Sequence, residues 1–488
     1  MMACRRVFTE VPYAVALAEE YKNLLCSTCF CSAAQPCALK CGVVYCNDTC
    51  ATADWPLHQY ECEAYRRNLN CDHMHDSVHL RLIGRMAARL RLDKGIAVVA
   101  DGLPEGVKSR TFPDLKSSPP KKKDDCIALQ IVSDAYLKFF SDTQLSLITK
   151  KEAYRLVCTM VSNHINVSQP GVGATFPYSG SAVYLNSRRF EHSCVPDMSL
   201  VLDGESPFRL IFSLITRNSE PHSPRLLTQK QFSRLTLDWS QSTASDRNGY
   251  LTLTRERKVA LSKMSIDCRC VKCRDPKLID FEENAAVVEC NKCERPYVWI
   301  RGTAAMRPSC RCTKSKIRLE GDQKTIWVDL ELLNIQYMET IARLNGCSEP
   351  DRAILQCEAL LKLAERYWHP VANLRLAQLY SKLFTAYWMM LRVPLEQKFG
   401  GSKGFTGIWA ERAITVGESM VAAFHYHGYV ARNQYPTICC QLASLCCATA
   451  DQRRLLSWLK KAKAMFEMQE AARSVEILQG MISRVEDM

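Results

Sequence analysis

Apolar residues recur at three- and four-residue spacing over 78–92 (VHLRLIGRMAARLRL) and again from Cys126 to Val167. That period places them on one face of a helix, so both stretches are expected to form amphipathic helices. Between them, residues 101–125 (DGLPEGVKSRTFPDLKSSPPKKKDD) lose the period and fill with Pro, Ser and Lys. This composition predicts a surface loop, partly disordered. The run Lys121, Lys122, Lys123 suits a nuclear address or a phosphate contact, although three lysines beside two aspartates equally describe a solvated loop. From about Trp327 the helical period returns in six segments, 328–344, 353–368, 371–391, 409–424, 437–450 and 453–468, separated by Gly, Pro or charged turns. Paired helices of this length suggest a tetratricopeptide-like stack with a concave groove for a peptide, although no clean repeat of about 34 residues can be counted.

A chain of 488 residues exceeds what one core usually supports, so several structural units are expected, and 47% hydrophobic with 24% charged residues reads as globular. No apolar run approaches the roughly 18 residues needed to cross a bilayer. The opening MMACRRVFTEVPYAVALAEE lacks a clean signal-peptide core, which places the expected location in the cytoplasm and nucleus, with no membrane partner. There, 26 cysteines are better read as metal ligands than as disulfide partners. A formal charge of +13 fits an acidic partner such as nucleic acid or chromatin, or simply a solvated basic face. A monomer is expected.

The cysteines concentrate first in CSTCFCSAAQPCALKCGVVYCNDTCATADWPLHQYEC. They fall in pairs: Cys26 and Cys29, Cys37 and Cys41, Cys46 and Cys50, then His58 and Cys62. Four pairs suffice for two tetrahedral zinc ions, and a stretch this short and polar needs metal binding to supply its folding energy. Cys31 falls between pairs as a spare thiol. The order CxxC, CxxxC, CxxxC, HxxxC, ending in ADWPLHQYEC, resembles the MYND zinc finger. The resemblance implies interleaved sites, Cys26, Cys29, Cys46 and Cys50 holding one zinc and Cys37, Cys41, His58 and Cys62 the other.

A second signal is FEHSCVPD at 190–197, with CRCVKC 74 residues after Cys194. Three thiolates at Cys268, Cys270 and Cys273 lack a fourth ligand, which a distant cysteine can supply. Residues 170–204 followed by CRCVKC are similar to the core of SET-domain protein-lysine methyltransferases of the SET and MYND group. The resemblance covers most of residues 5–273 and implies that Cys194 completes the late zinc site, while the turn at His192 lines a site for S-adenosylmethionine. It likewise implies cofactor contacts at Asn163, Glu191 and Ile266.

Several positions depart from the family pattern. The chain opens with sequence that resembles only the segment after the family's Gly-rich turn, Glu191 and Asp197 stand where the motif has asparagine, and Ile266 replaces an aromatic. Trp239 stands at one catalytic tyrosine position and Met264 at another, leaving Tyr250 as a weak substitute. Methyl transfer from a sulfonium to an amine is an in-line displacement, and the amine, of pKa about 10.4, must first lose its proton. Tyrosine hydroxyls help orient that amine. Tryptophan offers a π face and an N–H donor but no acceptor, and methionine offers neither.

Beyond Cys273, VECNKCERPYVWIRGTAAMRPSCRC gives CxxC then CxC at Cys290, Cys293, Cys310 and Cys312, a further zinc set or a loop of inert thiols. Cys439, Cys440, Cys446 and Cys447 share one helix, which cannot wrap four thiols around one ion, and read as core residues.

The expected fold is thus α+β. It comprises an N-terminal SET remnant (1–25), a MYND finger (26–62), a helical insertion (63–165), a SET core (166–267), a cysteine-rich region (268–320) and a tetratricopeptide-like helical domain (325–488). Cofactors would be zinc at three sites, a fourth set beyond them, and S-adenosylmethionine. Two functions follow: a lysine methyltransferase acting on histones or other proteins, or a catalytically impaired relative that binds protein or peptide partners and regulates transcription.

Overall fold

The computed structural model describes residues 4–68, 78–93, 100–115, 117, 119, 123–146, 148–167, 180–194, 196–202, 210–215, 229–237, 253–263, 266–312, 316–318, 322–344, 350–397, 403–427, 434–468 and 472–487. It is a mixed α+β structure in which the C-terminal region is helical. Two compact units divide the chain, one built around residues 4–237 and one around residues 276–465.

In the first unit the elements run β1 (Cys4–Glu10), β2 (Ala14–Leu17), β3 (Gln35–Pro36), β4 (Val44–Tyr45), α1 (Asp48–Asn68), α2 (Val78–Asp93), α3 (Lys123–Phe139), α4 (Lys150–Asn163), β5 (His164–Val167) and β6 (Gly180–Val183). They continue with β7 (Glu191–His192), β8 (Met198–Leu202), β9 (Leu210–Ile215), α5 (Gln229–Phe232) and β10 (Thr236–Leu237). Two antiparallel sheets, ordered β1-β9-β8 and β2-β6-β5, are joined by a short parallel pair, β7 with β10. Strand β6 (GSAV) is buried at all four positions, as a central strand must be.

Helix α4 starts at a capping box, in which Thr149 Oγ1 accepts from the Glu152 N–H at 3.2 Å and Glu152 Oε2 accepts from the Thr149 N–H at 2.7 Å. One core joins the strands through Phe8, Phe190, Phe212 and Phe232, with Phe8 stacked on Phe212 at 4.0 Å between centroids. A second lies among α1–α4 and residues 26–62. At Gly180 a Cβ would sit 2.8 Å from the buried Phe30 ring and against the Ala16 carbonyl, so only glycine lets β6 approach the cysteine-rich segment this closely.

Residues 100–115 carry little regular structure and are tied down by long-range contacts. Asp101 bridges to Thr9, the Arg110 N–H donates to Asn186 Oδ1 at 3.0 Å, and Leu115 is buried. The segment is ordered by long-range partners that its local composition does not reveal.

The second unit contains α6 (Thr254–Lys263, in part), α7 (Val271–Arg274), α8 (Pro276–Asn284), β11 (Ala285–Glu289), β12 (Pro296–Trp299), β13 (Ala305–Pro308), β14 (Ile317–Arg318), α9 (Gln323–Leu344), α10 (Pro350–Tyr367), α11 (Leu374–Gln397), α12 (Lys403–Tyr426), α13 (Gln434–Thr449), α14 (Gln452–Met468) and α15 (Ala472–Glu486, in part). The strands form an antiparallel sheet in chain order. From α9 to α13 each helix packs chiefly on its sequence neighbours. Helix α10 shows why: Ala353, Ile354, Cys357, Leu360, Ala364 and Tyr367 recur on one face and are buried. On α13, Cys439 and Cys446 are fully buried core residues, whereas Cys440 is half-buried and Cys447 exposed. Among the described residues no helix is long and apolar enough to cross a membrane.

A buried carboxylate at the end of β1 holds two distant segments of the first unit together. Glu10 Oε1 accepts from the backbone and side-chain amides of Asn186 at 2.7 and 3.1 Å, and Oε2 accepts from the Ser187 N–H at 3.1 Å. Burial outweighs these bonds and pushes the Glu10 carboxyl up from 4.5 to about 7. A raised acid is protonated more readily in the native state, so its contribution is full below pH about 4.5 and is lost as pH rises through about 7. Denaturant melts of the native protein and Glu10→Gln at pH 5.5 and pH 8 are expected to show the native protein losing about 2 kcal/mol relative to the variant. A difference independent of pH would show that the carboxyl ionises normally.

Candidate metal centres

Cysteine thiols and one histidine assemble into metal-ligand groups among the described residues. In the first unit they are Cys26, Cys29, Cys46 and Cys50, and Cys37, Cys41, His58 and Cys62; in the second they are Cys290, Cys293, Cys310 and Cys312, with Cys268, Cys270 and Cys273 forming a separate cluster of thiols. Within each group every ligand atom lies within 4.8 Å of the others, and no disulfide joins these cysteines. A tetrahedral zinc with Zn–S about 2.3 Å and Zn–N about 2.0 Å requires S···S edges near 3.8 Å and N···S edges near 3.5 Å. The observed separations meet that requirement. Cys29–Cys46 and Cys46–Cys50 are 3.5 Å apart, Cys37–Cys62 is 3.9 Å, and His58 Nε2 lies 3.5 and 3.3 Å from the sulfurs of Cys37 and Cys41. The donor sets and their spacing fit zinc.

Local backbone chemistry shapes these groups. After Cys26–Cys29 the chain reverses at Phe30 (φ 58°), whose N–H donates to the Cys26 carbonyl at 2.9 Å, and the Cys26 N–H donates to Cys31 O at 2.8 Å. The β3–β4 hairpin carries Cys37 and Cys41 in its connection and delivers Cys46 just after β4, while α1 presents Cys50 in its first turn and His58 and Cys62 one turn apart further along. Chain order therefore alternates between the two sites. Separating them would require unfolding both.

Around the second group lies a buried ionic network that the sequence patterns did not disclose. Arg85 on α2 donates from Nη1 and Nη2 to Asp54 Oδ1 and Oδ2 at 2.8 and 2.9 Å, and its Nε is 3.2 Å from Glu61 Oε2. Glu61 Oε2 in turn lies 3.8 Å from His58 Nδ1, the nitrogen facing away from the sulfurs. Burial opposes ionisation of Asp54, but Arg85 overcomes it and holds the carboxyl below the usual carboxylate range. The only prior signal was the seven-residue spacing of Asp54 and Glu61, which puts them on one face of α1.

In the first unit Cys194 follows β7, and His192 Nε2 is 3.3 Å from its sulfur. The neighbouring chain is clamped to β10. Thr236 and Leu237 pair in parallel with Glu191 and His192, and the Ser193 N–H donates to Leu237 O at 2.9 Å. Asp197 Oδ2 accepts from Thr236 Oγ1 at 2.7 Å and from its N–H at 3.2 Å. The carboxylate that departs from the family asparagine is thus a structural acceptor here.

Among the other sequence-derived positions, Asn163 is fully buried at the end of α4 with Nδ2 donating to Thr159 O at 2.6 Å. Glu191 is exposed, and Ile266 is half-buried against the core of Phe8 and Phe190. Trp239, Tyr250 and Met264 lie outside the described residues.

No family model matches the chain. It is similar to SET domain-containing protein 14 of Caenorhabditis elegans, 27% identical over 186 residues that span 38% of this chain and 40% of that protein. The chain thus spans less than half of that relative's length. The similarity supports a SET-domain family for this chain.

The Arg85 network generates a test. Replacing Arg85 with Ala leaves two buried carboxylates without their cation, and about 3–5 kcal/mol of stability should be lost. Urea melts are expected to show that loss together with weaker zinc retention, whereas Arg67→Ala, whose partner Asp142 is solvent-exposed, should cost less than about 1 kcal/mol. Equal effects would show that the buried network carries no special weight.

Proposed function

We propose that the chain is a SET and MYND protein, with residues 26–62 as a MYND finger holding two zinc ions and a SET core closed by a third. Its function on this reading is S-adenosylmethionine-dependent methylation of lysine in a protein partner such as a histone. The observation that carries the reading is the interleaving of two four-ligand groups over residues 26–62 in the first unit, beside a sequence in which FEHSCVPD supplies Cys194 and CRCVKC three further thiols, the ligands the resemblance implies for a third zinc. The similarity to a SET domain-containing protein supports it independently.

S-adenosylmethionine, when bound, supplies an electrophilic methyl group on a sulfonium. The chain's task is to hold a lysine Nζ in line with that carbon and to let the amine shed its proton. Pairing with β10 on one side and the bond between Asp197 and Thr236 on the other hold Glu191, His192 and Asp197 in place, so that His192 and the exposed Glu191 are presented from a hydrogen-bonded strand. Asn163 offers a buried carboxamide oriented by Thr159. At Glu191 a carboxylate has only acceptor oxygens where the family amide has donors as well, and Trp239 and Met264 replace the tyrosines that would orient the amine.

These residues favour a second reading, a catalytically impaired scaffold that uses its finger and helical stack to bind protein partners in the cytoplasm and nucleus. Radiolabelled methyl transfer to histones and lysate proteins, with calorimetric titration of S-adenosylmethionine, separates the two. Weak binding and slow transfer are expected, with transfer raised by Trp239→Tyr and abolished by Cys194→Ser. Absence of both binding and transfer in zinc-loaded, folded protein would overturn the enzymatic reading and leave the scaffold.

A further inference from the structure

We propose that Cys290, Cys293, Cys310 and Cys312 hold a zinc ion of their own, that this ion is the exchangeable one of the four, and that it fastens the β11–β13 hairpin to the turn between α10 and α11.

Three observations converge on this site. All four sulfurs lie within 4.8 Å of one another, and none is in a disulfide. The backbone at Cys290 repeats the turn at Cys26: the residue after CxxC, Glu294, has φ 56°, its N–H donates to Cys290 O at 2.8 Å, and the Cys290 N–H donates to Arg295 O at 2.9 Å. An L-residue with positive φ is uncommon, so the same strained turn at two CxxC pairs marks the same task of aiming both thiols at one point. Finally, a zinc with four thiolates carries a net charge of −2, and Lys292, Arg295 and Arg311 adjoin these cysteines in the chain.

Exposure sets this site apart. Three of the ligands in the Cys37 group are at most 5% exposed and His58 is fully buried, whereas Cys293 and Cys310 are half-buried and Cys312 is exposed. A competing ligand reaches the metal only through an open edge, and among the described groups this one has the widest.

Metal loss here has a defined structural consequence. Glu289, adjacent to Cys290, meets His369 at 2.6 Å through Oε1 and Nε2. Ala285 O accepts from the His369 N–H at 3.0 Å, Ala286 bridges to Trp368, and Trp299 Nε1 donates to Tyr367 O at 2.9 Å. The hairpin therefore grips residues 367–369, and the metal group closes the far end of the same hairpin.

Zinc content of the full chain, release of zinc to a chromogenic chelator and mass-spectrometric mapping of thiols alkylated by N-ethylmaleimide test the proposal without any methyl-transfer readout. Expected are four zinc ions per chain and a first release phase of one zinc. Alkylation of Cys290, Cys293, Cys310 and Cys312 should accompany that phase, as should faster hydrogen exchange over residues 285–299 and 367–369. Cys312→Ala should lower the content to three, and Cys312→His, which keeps a zinc-ligating atom, should restore four. Three zinc ions in the native protein with these four cysteines alkylated before any chelator is added would overturn the proposal while leaving the proposed function intact. First release from another group would overturn the assignment of the exchangeable site.

Discussion

Clustered thiolates tolerate burial only beside a cation, and residues 26–62 are organised around that constraint. Their side chains include Cys26, Cys37, Cys41, His58 and Cys62, all buried, in a segment whose strands are two residues long. Backbone pairing of that extent cannot hold a fold, so ligand convergence has to. The same rule recurs one layer out, where Arg85 supplies the positive charge that allows Asp54 and Glu61 to be buried against α2. A zinc ion at these ligands would solve for the thiolates the electrostatic problem that Arg85 solves for the carboxylates, and Arg85 joins the cysteine-rich segment to α2.

Two carboxylates, Glu10 buried and Asp197 exposed, perform a related task in the strands. Glu10 ties β1 to Asn186 and Ser187, and Asp197 ties the segment after Cys194 to β10. Each carboxylate accepts several N–H or O–H donors from chain far away in sequence, which fixes a crossing that short strands alone would leave loose. Gly180 complements this by admitting Phe30 where any side chain would collide.

In the second unit separate hydrogen bonds from Ala285, Glu289 and Trp299 tie the hairpin to residues 367–369. Helix packing beyond that point proceeds by neighbours, with Gly417 letting α12 sit against Phe384 of α11 and Leu442 of α13. Local order at one end is therefore coupled to the helices through a few polar contacts as well as through apolar area.

Sequence alone determined what depends on short-range spacing. CxxC and CxxxC pairs and helical periodicity in α2, α4 and α10 follow from residues within a turn or two of each other, whereas of the four α13 cysteines read as core only Cys439 and Cys446 are buried, Cys440 being half-buried and Cys447 exposed. Tertiary structure decided everything carried by distant partners. Arg85 meets Asp54 and Glu61 on another helix, and residues 101–115 are tied down by Thr9 and Asn186. The reason is physical: periodicity reports which face of an element is buried, whereas an ion pair or ligand set is specified by where two elements cross, and that crossing is a property of the packed whole.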